Sequence, residues 1–281
     1  MVENIKKGNK KKMMNNMEQN YWIDDMWVET PNNNNFFLHA HDNYEILLFL
    51  EGDTKFIVEE NTYDLEPYDV IITKKNQLHR AYHNSQTYYK RIVLNILPVF
   101  FQENMCSDYE KIFYTFSGKS GNKIDAKAVK NSGLYDVLMR IKRYSQNYQN
   151  TYSPIVRSVI IEVLFLLNNI HIPSEPATQN IAISNVITYL NNHYTEEISL
   201  DILADMFYIS KYHLCHVFHQ VTGLTVHQYL TKKRLLFAKE LLNTQDTRIS
   251  QVYEKAGFQT YSSFYRAYIN EFGISPKHNK K

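Results

Sequence analysis

The stretch that decides the fold reads LADMFYISKYHLCHVFHQVTGLT from Leu203 to Thr225, and its pattern returns as VYEKAGFQTYSSFYRAYINEFGIS from Val252 to Ser275. In each copy a hydroxyl residue suits a helix start, two apolar residues suit its buried side, and a glycine suits its end. These positions match at a spacing of 50 residues: Ser210 and Thr260, Leu214 and Phe264, Phe218 and Tyr268, Gly223 and Gly273. The repeat predicts two helix-turn-helix units that could place two recognition helices on one face of a DNA duplex.

The sequence around the two copies is helical as well. An apolar stripe at helical spacing precedes the first copy, and a long amphipathic stretch from Val226 to about Asn243 joins the copies. Ser199 is placed to cap the first helix of the first unit, and Gly257 is placed in the turn of the second. Residues 181–276 are therefore predicted to form an all-α DNA-binding domain of two units joined by a long helix.

The outward faces of the two recognition helices are the candidates for contact with bases, because the N-terminal half of such a helix reaches the base edges. Arg266 could bind a guanine with both ends of its guanidinium, and tyrosine could contact a thymine methyl. The alternative for each position is an ordinary solvated helix face. The candidates are Lys211, Tyr212, Cys215 and His216 in the first unit, and Tyr261, Ser262, Tyr265 and Arg266 in the second.

Phosphate contacts are expected from basic side chains outside the recognition helices, since such contacts position a protein on the duplex without reading sequence. For Arg234 a structural salt bridge is an equally good interpretation. The candidates are Lys232, Lys233, Arg234 and Arg248.

Five ordered motifs lie within the C-terminal region: ISL-x-x-LA, IS-x-x-x-L-x-x-x-F, R-x-x-x-A-x-x-LL, GF-x-x-x-x-x-F-x-R and G-I-S-P. Together they resemble the DNA-binding domain of the AraC/XylS family of bacterial transcription regulators over about residues 181–276. The resemblance implies that each unit inserts one helix into successive segments of the major groove, and that the protein is an activator rather than a repressor. The chain departs from the family pattern at Tyr253, at His219 and after Pro276, which affects local phosphate contacts and not the fold.

The N-terminal half has a different character. Short β-like runs between Phe36 and about Leu97 are separated by turn signals such as Glu51-Gly52-Asp53, which predicts an antiparallel barrel or jelly roll. His39, His41, Glu45 and Gly52 follow the spacing H-x-H-x3-E-x6-G, which is similar to the first cupin motif. His79 falls where the histidine of the second cupin motif would lie, although that motif is imperfect here.

His39, His41, Glu45 and His79 are the candidate effector-binding residues, because His39, His41 and Glu45 share one parity along a strand and therefore one face. Three interpretations remain open. The residues could hydrogen-bond a small polyhydroxylated effector, commonly a sugar in regulators that resemble this one. They could bind a divalent transition metal, or they could merely satisfy the rim of the barrel. We expect metal-free effector binding, with no cofactor and no metal.

Length and composition suit two domains, since the chain has 281 residues, 44% of them hydrophobic and 21% charged. Two cysteines, no signal peptide and no long apolar stretch favour a cytoplasmic protein without a membrane partner. The expected fold class is α+β. The expected domains are a basic tail at 1–20, a cupin-like β-barrel at 21–125, a helical hairpin at 126–172, a linker at 173–180 and the DNA-binding domain at 181–276. The hairpin could form a dimer surface or pack on the barrel.

The leading hypothesis is an effector-responsive transcription regulator that binds double-stranded DNA and a small molecule, and that acts as a homodimer. RNA polymerase is a further candidate partner. One alternative is a cupin-type metal-dependent enzyme with a DNA-binding tail, and another is a ligand-independent regulator whose barrel is only a dimerisation scaffold. No catalytic residues are expected, because neither a nucleophile constellation nor a phosphate-cradling glycine loop is found.

Overall fold

A computed structural model describes residues 20–116, 121–147, 154–170, 181–243 and 249–279. The expected basic tail up to residue 19, the linker at 173–180 and Arg248 lie outside these residues. Within them, no helix combines the length and apolar character that are needed to cross a bilayer.

The N-terminal half contains two antiparallel sheets. The five-stranded sheet has the order β1-β7-β2-β5-β8 and the three-stranded sheet has the order β4-β3-β6. The strands are β1 (Tyr21–Val28), β2 (Tyr44–Glu51), β3 (Thr54–Val58), β4 (Asn61–Asp64), β5 (Val70–Thr73), β6 (His79–His83), β7 (Tyr89–Ile96) and β8 (Lys123–Ile124). The jelly-roll-like β domain is confirmed, and its strands form two separate sheets rather than a closed barrel.

Strand β2 shows why two sheets form. Its side chains alternate between a core shared with the following helices, which contains Ile46 and Leu48, and a core between the two sheets, which contains Leu47 and Phe49. Both faces of the five-stranded sheet are therefore covered, which explains the nearly unbroken apolar run EILLFL. Because the helices bury the outer face, packing against the second sheet completes the burial of β2 without closure into a barrel.

Five helices follow β7: α1 (Pro98–Glu103), α2 (Lys111–Phe116), α3 (Ala126–Asn131), α4 (Leu134–Asn147) and α5 (Pro154–Asn169). Helices α4 and α5 form the expected hairpin. Leu138 of α4 and Ile160 of α5 are buried in the core that these helices share with the five-stranded sheet. The hairpin thus packs on the β domain. Ile155 and Phe165 of α5 are 58% and 52% exposed, so an outer apolar face remains.

The C-terminal half is helical throughout its described part, with α6 (Ile181–His193), α7 (Leu200–Met206), α8 (Lys211–Thr222), α9 (Val226–Asn243), α10 (Ile249–Lys255), α11 (Tyr261–Phe272) and α12 (Pro276–Asn279). Helix α9 contributes Tyr229 to the core of the first unit and Leu235 to that of the second. The expected all-α domain with a long joining helix is confirmed.

Helices α8 and α11 are built alike, as the repeat predicts. Ser210 and Thr260 accept the N–H of the third residue of their helix. Gly223 and Gly273 end the helices in the left-handed region, at φ of 73° and 71°. Each helix has 12 residues because these local signals sit at the same spacing in both copies.

The turns before these helices differ. The residue with positive φ is Tyr208 in the first unit and Gly257 in the second, 49 residues on, although the recognition helices repeat at 50. The second turn is therefore one residue longer. A Cβ at Gly257 would lie 2.6 Å from the carbonyl oxygen of Thr195, so glycine allows the second unit to pack against the loop after α6.

Candidate nucleic-acid interface and effector site

All eight predicted base-contacting side chains lie on exposed positions of α8 and α11. Tyr212 is 82% exposed and its ring stacks parallel to that of His216, while Lys211 pairs with Asp201 of α7. Arg266 donates through Nε to the carbonyl of Ser262, and the described residues show no hydrogen bond from the terminal nitrogens of its guanidinium. The tips of the two recognition helices are thus open to a duplex and differ in chemistry.

Tyr208 is a surface residue that the sequence analysis missed. It is 95% exposed and lies in the turn before α8, with φ at 54°. A non-glycine residue in the left-handed region is uncommon and carries a local energetic cost. An exposed aromatic side chain beside a polar helix tip was the signal that could have identified it.

The three predicted phosphate contacts that lie among the described residues have partners within the protein. Lys232 pairs with Glu271 of α11, and Lys233 pairs with Glu59 of the β domain. Arg234 donates from Nε to the carbonyl of Tyr194 and from Nη2 to that of Glu196, at 2.6 and 2.7 Å. Burial lowers the pKa of Arg234. Arg234 therefore binds backbone carbonyls that follow α6, rather than the carboxylate of a salt bridge.

The four predicted effector residues come together. His39 and His79 form an isolated antiparallel bridge in which each backbone N–H donates to the other's carbonyl, at 3.0 and 2.9 Å. The ring centroid of His79 lies 4.5 Å from that of His39 and 4.9 Å from that of His41. Glu45, at the start of β2, lies 2.8 Å from His41 Nε2 and 3.5 Å from His79 Nε2 through its Oε2 atom.

Each of the three imidazoles is held through its Nδ1 atom. Their Nδ1 atoms contact the carbonyls of Phe37, Asn43 and Gln77 at 2.9, 3.1 and 2.8 Å, for His39, His41 and His79 respectively. A carbonyl only accepts hydrogen bonds, so each Nδ1 carries the proton and donates it. The Nε2 atom of His41 also donates a proton, because its partner at 2.8 Å is the Glu45 carboxylate, which only accepts. The Nε2 atom of His79 lies 3.5 Å from the same oxygen and has no hydrogen-bond partner among the described residues.

Charge is uneven within the cluster. Burial alone would raise the pKa of Glu45, but the charge of His79 and the hydrogen bond from His41 outweigh it and hold that pKa well below its usual range. Burial would lower the pKa of His41, but the Glu45 carboxylate raises it. Loss of hydration within the surrounding protein, together with the charge of the neighbouring His79, lowers the pKa of His39 to about 4. Glu45 is thus an anion and His39 a neutral base near pH 7.

A second polar group lies between the sheets that the sequence analysis did not identify. Arg91 of β7 pairs through Nη2 with Asp24 of β1 at 2.8 Å, and its side chain is 14% exposed. Burial alone would lower the pKa of Arg91, but the phenol of Tyr89 and the carboxylates of Asp24 and Glu45 raise it above its usual value. A single arginine in a strand belongs to no sequence motif. The pairing of Arg91 with Asp24 follows only from the register between β7 and β1.

The β domain docks on the first helix-turn-helix unit, next to the histidine cluster. Leu38 and Leu78, the neighbours of His39 and His79, are buried in the same core as Leu214 and Phe218. Arg80 of β6 reaches the end of α8, where a Cβ on Gly223 would lie 2.2 Å from Arg80 Nη1. The cluster therefore sits directly behind a strand that contacts the recognition helix.

Polar contacts surround this docking surface. Ser184 and Asn191 of α6 donate to the backbone carbonyl and to the carboxylate of Glu60, at 3.0 and 3.1 Å. Three contacts come from α9: Lys233 with Glu59, Lys239 with Asp42, and Glu240 with Asn76. None of these contacts could be predicted from local sequence patterns, because each joins residues more than a hundred positions apart.

Comparison with known proteins finds one matching domain family in each half of the chain. The AraC-like ligand binding domain family matches residues 29–110, and a helix-turn-helix domain family matches residues 203–281. The transcriptional activator RhaS of Enterobacter sp. (strain 638) is 25% identical over 242 residues, which cover 85% of each chain. Each half of the chain is thus similar to the corresponding part of AraC-family transcription regulators.

Further regulators match over a similar length. The probable transcriptional regulator LumQ of Photobacterium leiognathi is 23% identical over 85% of this chain and 89% of its own. Among solved structures, ToxT from Vibrio cholerae covers 92% of this chain and 97% of its own, with 11% identity and a TM-score of 0.38. The two domain families and the aligned regulators, rather than this structural likeness, identify the protein as a DNA-binding regulator with a ligand-binding domain.

Proposed function

We propose that this protein is an AraC-family regulator that activates transcription when a small effector binds in the β domain and changes how that domain docks on the first helix-turn-helix unit. The observation that carries the proposal is the position of the cluster of His39, His41, Glu45 and His79. Its bridge joins directly to Leu38 and Leu78, which are packed in the core that holds α8. An effector that binds the cluster better in one docking arrangement shifts the population toward that arrangement.

The DNA side of the proposal rests on the two exposed helix tips. Since their residues differ, the two units should read different base sequences, and one protomer should recognise an asymmetric site. Lys232, Lys233, Arg234 and Arg248 remain the proposed phosphate contacts, and the first two would have to exchange their acidic partners for phosphate.

The finer features are proposals as well. The activator role is supported by the names of relatives such as RhaS and implies a contact with RNA polymerase. A sugar effector is supported by the hydrogen-bonding groups between the sheets, and a homodimer by the exposed Ile155 and Phe165 of α5. We also propose that the protein is cytoplasmic, is not an enzyme, and has the domain limits set out above.

Selection of bound duplexes from a random-sequence pool, followed by footprinting, tests the DNA side. Arg266→Ala should weaken binding to the selected site by about 1–3 kcal/mol and relax preference at one base pair. Lys255→Ala is the matched control, since it removes a cation from α10, outside the recognition helix. If Arg266→Ala weakens specific and non-specific binding equally, the residue contacts phosphate and the assignment is wrong.

Thermal shift with a panel of monosaccharides, on full-length protein and on His41→Ala, tests the effector side. A sugar that stabilises the full-length protein but not the variant supports the proposal. If no sugar stabilises the protein while specific DNA binding is intact, the sugar assignment fails and the β domain as a dimerisation scaffold is favoured. Turnover of a substrate by metal-loaded protein would instead support the cupin-type enzyme.

A further inference from the structure

The turn between α7 and α8 holds an exposed tyrosine in a backbone conformation that usually requires glycine. The N–H of Tyr208 donates to the carbonyl of Asp205, and the N–H of Ile209 to that of Ala204, at 3.3 and 3.0 Å. These two bonds form a Schellman motif at the end of α7. Tyr208 is the left-handed residue of the motif, with φ at 54°, and it is 95% exposed. The end of α7 thus holds a large side chain in solvent.

The same motif ends α10 in the second unit, with glycine in place of the tyrosine. The N–H of Gly257 donates to the carbonyl of Glu254, and the N–H of Phe258 to that of Tyr253, both at 2.9 Å. Gly257 lies against the backbone of Thr195, which leaves no room for a side chain. The first unit has room at this position, and there the chain has a tyrosine despite the strain that a non-glycine residue has in the left-handed region.

The Tyr208 side chain makes no contact that would explain its presence in the fold. Among the described residues its hydroxyl has no hydrogen-bond partner and its ring has no aromatic neighbour, whereas the nearby Tyr212 stacks on His216. Glycine would form the same turn with less strain. Because the folded protein gains no contact from the tyrosine, its contact should be with another molecule.

The position of Tyr208 indicates which molecule it meets. It precedes Ser210, the N-cap of α8, by two residues, so the two Cα atoms are at most about 7 Å apart. The N-terminal half of a recognition helix enters the major groove. A residue in the turn before that helix lies at the edge of the groove, next to the DNA backbone. Tyrosine hydroxyls are among the protein donors that contact phosphate oxygens, which only accept.

We propose that the hydroxyl of Tyr208 donates a hydrogen bond to a backbone phosphate at the edge of the groove that α8 enters. This contact fixes the position of the first unit on the duplex without reading sequence. The second unit has Gly257 at the equivalent position, so the contact belongs to the first unit alone. The inference rests on DNA binding as set out in the proposed function, but not on effector binding.

Fluorescence anisotropy on full-length protein tests the contact, with one duplex selected from the random-sequence pool and one unselected duplex. Tyr208→Phe and Tyr208→Gly should each weaken binding to both duplexes about twofold to tenfold, which corresponds to one net hydrogen bond. Base preference and the slope of log affinity against log salt should not change, because a neutral hydroxyl neither reads a base nor replaces a counterion.

Met105→Gly is the matched control. Met105 occupies the same place in a Schellman motif at the end of α1, with φ at 50° and 95% exposure, but it belongs to the β domain. Both glycine variants relieve the same strain, so both should keep or raise the urea midpoint of unfolding, and only Tyr208→Gly should weaken DNA binding. Tyr208→Phe leaves the backbone of the turn unchanged, so it tests the hydroxyl even if glycine loosens the turn.

Ethylation of phosphates in the selected duplex locates the contact. Ethylation of one phosphate beside the half-site of the first unit should weaken binding of the unaltered protein, with no further loss in Tyr208→Phe. If Tyr208→Phe binds both duplexes as tightly as the unaltered protein, the ring is left for a protein partner and the inference is overturned. A loss confined to the selected duplex would make Tyr208 a base contact and would also overturn it.

Arg266→Ala, measured on the same duplexes, separates this inference from the proposed function. Weaker binding by Arg266→Ala together with full binding by Tyr208→Phe would exclude the Tyr208 contact and leave the DNA side of the proposed function intact.

Discussion

Lys233 has two competing partners, and their competition can be measured. In the structure its Nζ lies 2.8 Å from Glu59 Oε1 of the β domain, whereas the sequence predicts that it contacts a DNA phosphate. Glu59→Gln removes the acidic charge with little change in shape. We expect this variant to bind DNA more tightly, because Lys233 no longer has to leave an ion pair.

The magnitude follows from the exposure of the pair. The side chains of Lys233 and Glu59 are 14% and 18% exposed, so the pair is neither free in solvent nor fully buried. Exposed pairs contribute about 0.2–1 kcal/mol, and breaking a buried pair costs about 3–5 kcal/mol. A release of about 1 kcal/mol corresponds to roughly a fivefold gain in affinity. If Lys233 already reaches phosphate in part of the unaltered population, the gain is smaller.

Fluorescence anisotropy on a labelled non-specific duplex, from about 50 to 200 mM salt, is the assay. One additional phosphate contact makes the slope of log affinity against log salt more negative by about 0.9. Glu66→Gln is the matched control, since Glu66 is exposed on the same domain and the change of charge is the same.

Two outcomes would refute this reasoning. If Glu59→Gln and Glu66→Gln have the same affinity and salt slope, Lys233 does not become a phosphate contact when it is released. If the gain from Glu59→Gln persists in a Lys233→Ala background, it does not act through Lys233, because a double-mutant cycle should remove it.

Three predictions concern stability. Gly257→Ala should lower the free energy of unfolding in urea by about 1–3 kcal/mol more than Gly273→Ala does. Both glycines have positive φ, but only a Cβ at Gly257 meets the Thr195 backbone, so equal losses would contradict the close approach. Ser210→Ala should cost about 1 kcal/mol, since Ser210 caps α8, and an unchanged midpoint would contradict that. Burial lowers the pKa of His83 to about 4 from 6.5, so the unfolded chain takes up the proton first on acidification. Stability should fall from pH 6.5 to 4, less steeply in His83→Gln, and parallel curves would exclude His83 as a cause.

The DNA-binding half was predictable because its signals are local. A helix cap, an apolar stripe and a terminal glycine act within one or two turns, so the sequence identified α8 and α11 with their exposed tips. The extra residue in the second turn was not predicted, because the alignment of the two copies used only the recognition helices, which repeat at 50 residues. The positive-φ residues of the two turns are 49 residues apart.

The candidate effector site was predictable as a set of residues but not as a geometry. Strand parity predicted that His39, His41 and Glu45 share one face, and a motif added His79. In the structure β2 begins at Tyr44, so His39 and His41 reach Glu45 from the segment before the strand. That the three Nδ1 atoms all donate to backbone carbonyls depends on how the chain bends at Phe37, Asn43 and Gln77, which no residue pattern specifies.

What the sequence by itself determined was the tandem helix-turn-helix, the β character of the N-terminal half and the residues that carry charge or imidazole. Only the tertiary structure decided that the β strands form two sheets and that Leu38 and Leu78 enter the core of the first unit. It also decided that Lys233 meets Glu59. The physical reason is separation along the chain: caps and periodicity act between neighbours, whereas docking depends on which surfaces meet after both domains have folded.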